Sequence, residues 1–411
     1  MCVPFVTWVG SNVLYGFALT LHMSSSRSRQ QNETIDGLRR SLKALARDHQ
    51  ALNPSTVAVL DHLPTDVEFA HYVHTNRPVL IKCGVQQRRW TGHDWTARRE
   101  GGSSDPGGEV MWQRAIDGWT NEYLCHKLGN KRLRIAVTPD GRADSIMRSE
   151  DGSKVYFVEP ATIELTMQEF LTKLDQSGDT VDPGPVYYLQ SQNGNLSDEY
   201  ESLRQDVGSD GPSFARRVFG SQPDVSNIWI GDDKSVTTVH KDPYENVYLV
   251  VRGSKTFRLL PPTAMAVLPE LSCQPATLSY DERTEQFERI DGQGQVRWID
   301  LDLKDKEEYQ GVKVIKVTVE QGDLLYLPAL WYHQVSQTVG PPPLPPSACN
   351  VDVDEYASVR TKAAAIAVNW WYDIDMSGPF WSLMDFVRRC NQLARGDFDE
   401  TEFGSSDGES A

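Results

Sequence analysis

A chain of 411 residues, 39% hydrophobic and 9% aromatic, can bury a sizeable core, which excludes a disordered or fibrous polymer. A formal net charge of −16 argues against nucleic acid and anionic membranes as partners and favours a basic peptide or protein. Six scattered cysteines without a CxxC pair exclude zinc-ribbon and thioredoxin-like spacings, and read as free thiols in a reducing, cytoplasmic or nuclear, compartment.

Residues 1–23 form an apolar N-terminal extension with no Lys or Arg. A signal peptide would open on positive charge, whereas here Arg27 and Arg29 follow the apolar run. The reading is a non-native or alternatively started extension, with Met23 as a second start. A signal anchor is the alternative, and no other run has the length and apolarity of a membrane span.

A helix is expected over Thr34 to Asn53, capped by Thr34, because Ile35, Leu38, Leu42, Leu45 and Leu52 recur at helical steps. Asp66 to His74 reads as a shorter helix, followed by a strand at Val79 to Ile81. Thr96 to Glu109, TARREGGSSDPGGE, has the composition of a surface loop. Arg132 to Val137, Val155 to Val158 and Val186 to Gln190 read as strands, with a helix over Thr166 to Leu174. From Ser226 onward short strand-like runs follow one another between turn residues, which predicts a sandwich or a jelly roll. Pro269 to Tyr309 and the Pro-rich stretch from Gly340 to Tyr356 are expected to be loop insertions. The core strands should span about 186–375, within a single domain over 24–395. A C-terminal helix is expected over about 377–395, and residues 396–411 form an acidic tail with disordered composition.

The chemistry concentrates in SVTTVHKDPYEN, Ser235 to Asn246. His240 and Asp242 are two residues apart, so on an extended strand they share a face. His333, in GDLLYLPALWYHQVS, is the other histidine of the last 285 residues. Two imidazoles and one carboxylate are the facial triad of non-haem Fe(II), leaving three octahedral positions for a bidentate cosubstrate and O₂. Each histidine alone would also serve as a satisfied core side chain. Lys255, in VYLVVRGSKTFRLLPP, enters a strand where a solvated lysine or an anion-pairing one would fit, and AVNWWYD places Asn369 on the last strand.

Four blocks together resemble the JmjC family of Fe(II)- and 2-oxoglutarate-dependent oxygenases. They are HxDxxxN from His240, GxKxFxLLPP around Lys255, GDxLYxPxxWxH ending at His333, and VNxWYD around Asn369. The resemblance runs from about Asn76 to Gly396 and is strongest to the small branch of lysyl and asparaginyl hydroxylases. It implies a mainly β fold with flanking helices, built on a double-stranded β-helix (jelly roll, cupin-like) core. It implies Fe(II) as cofactor, held by His240, Asp242 and His333, with 2-oxoglutarate and O₂ as cosubstrates. Lys255 would pair with the distal carboxylate of 2-oxoglutarate, helped by the hydroxyls of Tyr188 and Thr237, and Asn246 and Asn369 would lie near its other end. Thr237 is three residues from His240, so a bulge is required for the two to share a face. Pro243, directly after Asp242, departs from a regular strand.

The activity implied is hydroxylation of a lysyl side chain in a protein or peptide substrate, a translation-associated GTPase being one such substrate. Asp232, Asp233 and Glu245 are candidates, by nearness in sequence, to receive the substrate ammonium. Histone lysine demethylation and peptidase activity are the alternatives, and a non-enzymatic cupin-like binding module is the rival of another class. The resemblance also implies a homodimer formed through the C-terminal helix, whose Phe380, Leu383, Phe386 and Val387 recur at helical spacing.

Overall fold

A computed structural model of the protein describes residues 25–83, 111–176, 184–191, 194–208, 210–343 and 356–397. Its centre is built from nine strands: β1 (Val186–Leu189), β2 (Val225–Gly231), β3 (Val236–His240), β4 (Tyr244–Arg252), β5 (Ser254–Leu260), β6 (Ile315–Glu320), β7 (Leu324–Leu327), β8 (Tyr332–Thr338) and β9 (Ala365–Asp373). A major sheet runs β7-β4-β9-β2-β1. It is extended by Val79–Ile81 and Ala58–Leu60 beyond β7, and by Leu133–Thr138 and Ala161–Leu165 beyond β1. A minor sheet runs β6-β5-β8-β3. From β2 to β5, and again from β6 to β9, successive strands alternate between the two sheets, the double-stranded β-helix that the sequence leads one to expect.

Side-chain alternation decides what faces what. On β4, Tyr248 and Val250 join the interior between the sheets, with Trp229, Phe257, Val317 and Val319. Their neighbours Val247, Leu249 and Val251 pack on the opposite face, under the helical layer with Phe69, Trp112 and Phe214. A strand covered on both faces is apolar throughout, and VYLVV is that run. On β5 the interior receives Lys255, Phe257 and Leu259. The outward Thr256 meets Thr318 across the ladder at 3.1 Å, and Arg258 meets Ser336 at 3.1 Å. Gly253 makes the β4–β5 turn at φ +69°. An added Cβ there would lie 2.3 Å from the Thr338 carbonyl oxygen, so only glycine fits.

The outer face of the minor sheet is covered by two helices, Ser25–Leu52 and Pro379–Arg395. Leu42, Ala46, Val239, Leu260, Met384 and Val387 form that layer, and Arg39 Nε donates to the Ala394 carbonyl at 2.9 Å.

Three sequence expectations change here. The first helix begins at Ser25, so Thr34 lies inside it and does not cap it. The additional turns, SSRSRQQNE, carry no apolar periodicity and gave no signal. Pro269 to Tyr309 is not a loop. It holds strands Glu270–Asp281, Gln286–Asp291 and Val296–Ile299 and the short Glu308–Tyr309, and the first of them pairs in parallel with Val155–Glu159. Pro275 and the charged turn at Asp281 to Glu285 concealed the alternation of TLSY and QFERI. The HxD pair does not lie on one strand: β3 ends at His240, and Asp242 and Pro243 form the turn into β4. Pro243 therefore withholds no ladder donor. The expected loop at 96–109, most of the Pro-rich stretch, the extension 1–23 and nearly all of the tail lie outside the described residues. Among the described residues no helix is long and apolar enough to cross a membrane, and Cys125, Cys273 and Cys390 are free thiols.

Candidate metal and anion site

His240 ends β3 and lies directly opposite His333 on β8. Their rings sit 4.2 Å apart, centroid to centroid. Each Nδ1 faces a backbone carbonyl: His240 that of Thr238 at 2.8 Å, His333 that of Trp331 at 2.9 Å. A carbonyl only accepts, so each Nδ1 carries a proton, and Nε2 is the nitrogen of each ring left to face a metal. Both Nε2 atoms turn toward Asp242 Oδ2, 3.8 Å from His240 Nε2 and 3.6 Å from His333 Nε2. Burial first, and the neighbouring His240 second, push His333 down to about 4, which keeps its imidazole neutral near neutral pH.

One donor atom from each of these residues lies within 4.8 Å of the others. The carboxylate edges are too long for hydrogen bonds and somewhat wider than the ~3 Å edge of a relaxed coordination face with ~2.1 Å bonds. Two imidazoles oriented through their Nδ1 hydrogen bonds and one carboxylate, with open space beside them, fit a divalent first-row metal of the ferrous kind.

The β3–β8 register explains how the group converges. Thr237 pairs with Val335 and His240 with His333, so three residues on β3 span two on β8. That is the bulge required for Thr237, and it puts Thr237 and His240 on the same side. Thr238 is turned away, its hydroxyl donating to the Asp144 carbonyl at 2.6 Å. The turn before β8 holds Asp242 from the other side: the Leu330 amide donates to the Asp242 carbonyl at 2.9 Å, and Leu330 itself sits at φ +67°. A buried non-glycine residue in the left-handed region costs about 1 kcal/mol, a strain stored beside the triad. The side sheet that sequence reading took for a loop contributes Trp298, stacked parallel to His240 at 6.3 Å.

Deeper between the sheets lies Lys255, only 1% exposed. Its Nζ donates to Tyr188 Oη at 3.3 Å and to Gln337 Oε1, and it lies 5.3 Å from the centre of the Tyr188 ring. Burial alone lowers its pKa to about 7. Among the described residues no carboxylate forms an ion pair with it. Burial also raises the Tyr188 hydroxyl, and Thr237 hydrogen-bonds to that hydroxyl. Lys255, Tyr188 and Thr237 therefore meet in one polar pocket that lacks a counter-ion. An uncompensated buried ammonium is costly, so the donor set fits a carboxylate supplied from outside.

Asn246 and Asn369 occupy the facing sheet. Asn369 Nδ2 donates to Asn246 Oδ1 at 3.1 Å, and Trp229 Nε1 donates to Asn369 Oδ1 at 2.8 Å. Asn246 reaches the cleft that holds Asp242 and His333, whose other walls are Tyr244, Leu327, Pro328 and Trp331. Two of the three acidic candidates are committed elsewhere. Glu245 projects from the opposite face of β4 and accepts from Tyr326 Oη at 2.6 Å, and Asp232 caps its own turn through Lys234 N at 3.0 Å. Asp233 is exposed and outside the cleft lining.

Sequence reading missed Gln337, Gly231 and Tyr244. Period two from His333 reaches Gln337, and period two from Asp242 reaches Tyr244, so parity alone was signal enough for both. Gly231 sits against Tyr188 in the ladder. A Cβ there would fall 2.4 Å from the Tyr188 ring and 2.7 Å from Gln337 Nε2. Gly231→Ala should therefore cost about 1–3 kcal/mol, as overpacking does, and displace both partners of Lys255. Urea unfolding checks this, and an unchanged midpoint would show that the pocket wall is soft.

Residues 64–378 match the family model described as a cupin-like domain. The chain is 31% identical over 350 residues to the human bifunctional peptidase and (3S)-lysyl hydroxylase JMJD7, covering 83% of this chain and 92% of that protein. It is 30% identical over 330 residues to lysine-specific demethylase JMJ32 of Arabidopsis thaliana, covering 76% and 81%. Identity is 29% over 333 residues to JmjC domain-containing protein E of Dictyostelium discoideum, covering 76% and 82%. With the cupin-like family model matching three quarters of the sequence and a double-stranded β-helix at its centre, the chain belongs to the cupin-like JmjC family of 2-oxoglutarate-dependent oxygenases.

Proposed function

We propose that the protein is an Fe(II)- and 2-oxoglutarate-dependent hydroxylase acting on a lysyl side chain of a protein substrate. The observation that carries this reading is Lys255: a buried ammonium without a counter-ion, on the same interior face as the His240–Asp242–His333 group. In this reading His240 Nε2, Asp242 and His333 Nε2 hold the iron. Its chemistry is O₂ activation coupled to oxidative decarboxylation of 2-oxoglutarate. The chain's own residues then orient and exclude. Lys255, Tyr188 and Thr237 hold the distal carboxylate. Asn246 and Asn369 present amides to the other end. The apolar interior around Phe257 and Trp229 keeps water from the reacting centre.

The mouth of the cleft supports a cationic substrate side chain. Tyr244 stacks on Trp371 with ring centres 5.0 Å apart. Burial first, and then Asp373, Asp224 and Asp242, raise the Tyr244 hydroxyl pKa, which marks a negative field at the entrance. An aromatic face in such a field suits an ammonium. A lysine-bearing protein of the translation-associated GTPase kind is the substrate to test first. Incubation with Fe(II), 2-oxoglutarate and lysyl peptides, read by mass spectrometry, should give a gain of about 16 Da, as hydroxylation requires. Loss of about 14 Da from an N-methylated peptide would favour demethylation, and a cleaved peptide would favour the peptidase reading. Absence of any 2-oxoglutarate turnover with all peptides would leave the binding-module reading.

The proposed assembly is a homodimer through the C-terminal helix. Phe380, Leu383 and Phe386 are 44%, 57% and 59% exposed on one stripe. Val387, expected in the same set, instead packs within its own domain. A twofold contact would cover the stripe on both copies. Leu383→Asp with Phe386→Asp should halve the mass seen by light scattering at micromolar concentration. A native protein that is already a monomer would refute the dimer.

A further inference from the structure

Gln337 belongs to none of the blocks that carry the family resemblance. It is 6% exposed and lies opposite Lys255 in the β5–β8 ladder. Its Nε2 donates to the Asp232 carbonyl, and its Oε1 accepts from Lys255 Nζ. Only one orientation of the amide satisfies both contacts, because a carbonyl cannot donate and an ammonium cannot accept. The amide is also fixed from behind, since Gly231 leaves room for Nε2 that a side chain would fill.

An ammonium has three N–H groups. Gln337 takes one and Tyr188 another, so the third is left for the pocket that also holds the Tyr188 and Thr237 hydroxyls. Gln337 supplies an acceptor without supplying charge. A carboxylate at that position would complete the ion pair from within the protein and remove the demand for an outside anion.

We propose that Gln337 is the positioning residue that makes this pocket selective for a carboxylate-bearing cosubstrate: its neutral amide aims Lys255 while leaving the cation uncompensated. The inference rests on the 2-oxoglutarate reading above.

The test measures binding without turnover. N-oxalylglycine is titrated into the Mn(II)-loaded full chain by calorimetry, and Mn(II) affinity itself is measured by electron paramagnetic resonance. Gln337→Glu should weaken N-oxalylglycine binding roughly 10- to 100-fold, the range of a charge-assisted hydrogen bond, with Mn(II) affinity unchanged. Gln337→Met, near in shape but without the acceptor, should weaken it by only about 3- to 10-fold, as for a neutral bond. If either folded variant binds N-oxalylglycine as the native protein does, the proposal is overturned. It is equally overturned if both variants weaken binding to the same degree, because the effect is then packing rather than charge. Where Gln337→Glu does not fold, Gln337→Met alone decides between unchanged and weakened binding. A native protein that binds Mn(II) but not N-oxalylglycine would overturn the 2-oxoglutarate reading first, a different result from native binding retained in the variants.

Discussion

Asp242→Ala is expected to abolish metal binding and turnover together. The substitution leaves His240 and His333, both still fixed through Nδ1 to the Thr238 and Trp331 carbonyls. Two neutral ligands on adjacent strands cannot supply the anion that a hard divalent ion of this class requires. Loss of an outer-shell partner already costs 10- to 100-fold in metal affinity, so loss of a ligand should exceed about 100-fold. Glu245→Gln is the matched control. Glu245 lies three residues along the chain but on the other face of β4, bound to Tyr326 and to the Ala329 amide. The substitution should leave Mn(II) affinity within about twofold, because the glutamine amide oxygen can still accept from Tyr326 and Ala329 and so keep the turn that holds Asp242. Retention of native Mn(II) affinity by Asp242→Ala would remove Asp242 from the ligand set.

The same residues show how much could be read from the chain alone. The interior strands were legible because burial imposes alternation: KTFRL, with Lys, Phe and Leu on one side, announces a face before any coordinates exist. The His240–Asp242 spacing pointed to two residues that do converge, though not by the common strand face it suggested. They converge through a bulge and a turn, not through the common face of a strand. Bulges depend on tertiary partners, here Val335 and His333 across the ladder, and leave no trace in local composition. The side sheet was missed for a related reason. Its strand Glu270–Asp281 contains Pro275 and is half solvated, so neither propensity nor periodicity marks it. Gln337 was visible in parity but carries no motif, and an amide acquires meaning only once the cation opposite it is known.

Lys255→Met should be the most selective lesion of the cosubstrate pocket. Methionine fills nearly the same volume, so packing against Tyr188 and Phe257 is kept while the charge goes. Removing one partner of a buried charge pair costs about 3–5 kcal/mol, which corresponds to roughly 200- to 4000-fold in N-oxalylglycine affinity. Mn(II) affinity should not follow, because Lys255 does not touch the triad. The pH dependence gives the sharper signature. Burial lowers Lys255 to about 7 in the anion-free protein, with no carboxylate among the described residues pairing with it; Tyr188, Thr237 and Gln337 are its neutral neighbours. A bound carboxylate favours the ammonium and raises that pKa. Binding above pH 7 therefore takes up a proton, and affinity should fall about tenfold per pH unit until the pKa of the complex is reached. Stability moves in the opposite sense. Between about 7 and the ordinary lysine value of 10.5, the unfolded chain holds more protons at this site than the folded one does. The penalty for burying the ammonium is thus complete below pH 7 and fades as pH rises toward 10.5, so the native anion-free protein should gain stability on Lys255→Met across that window. Calorimetric titrations at pH 7, 8 and 9, with urea unfolding of both proteins at the same pH values, test the two slopes. A native affinity that is flat over this range, or a slope that survives in Lys255→Met, would mean that another group receives the anion.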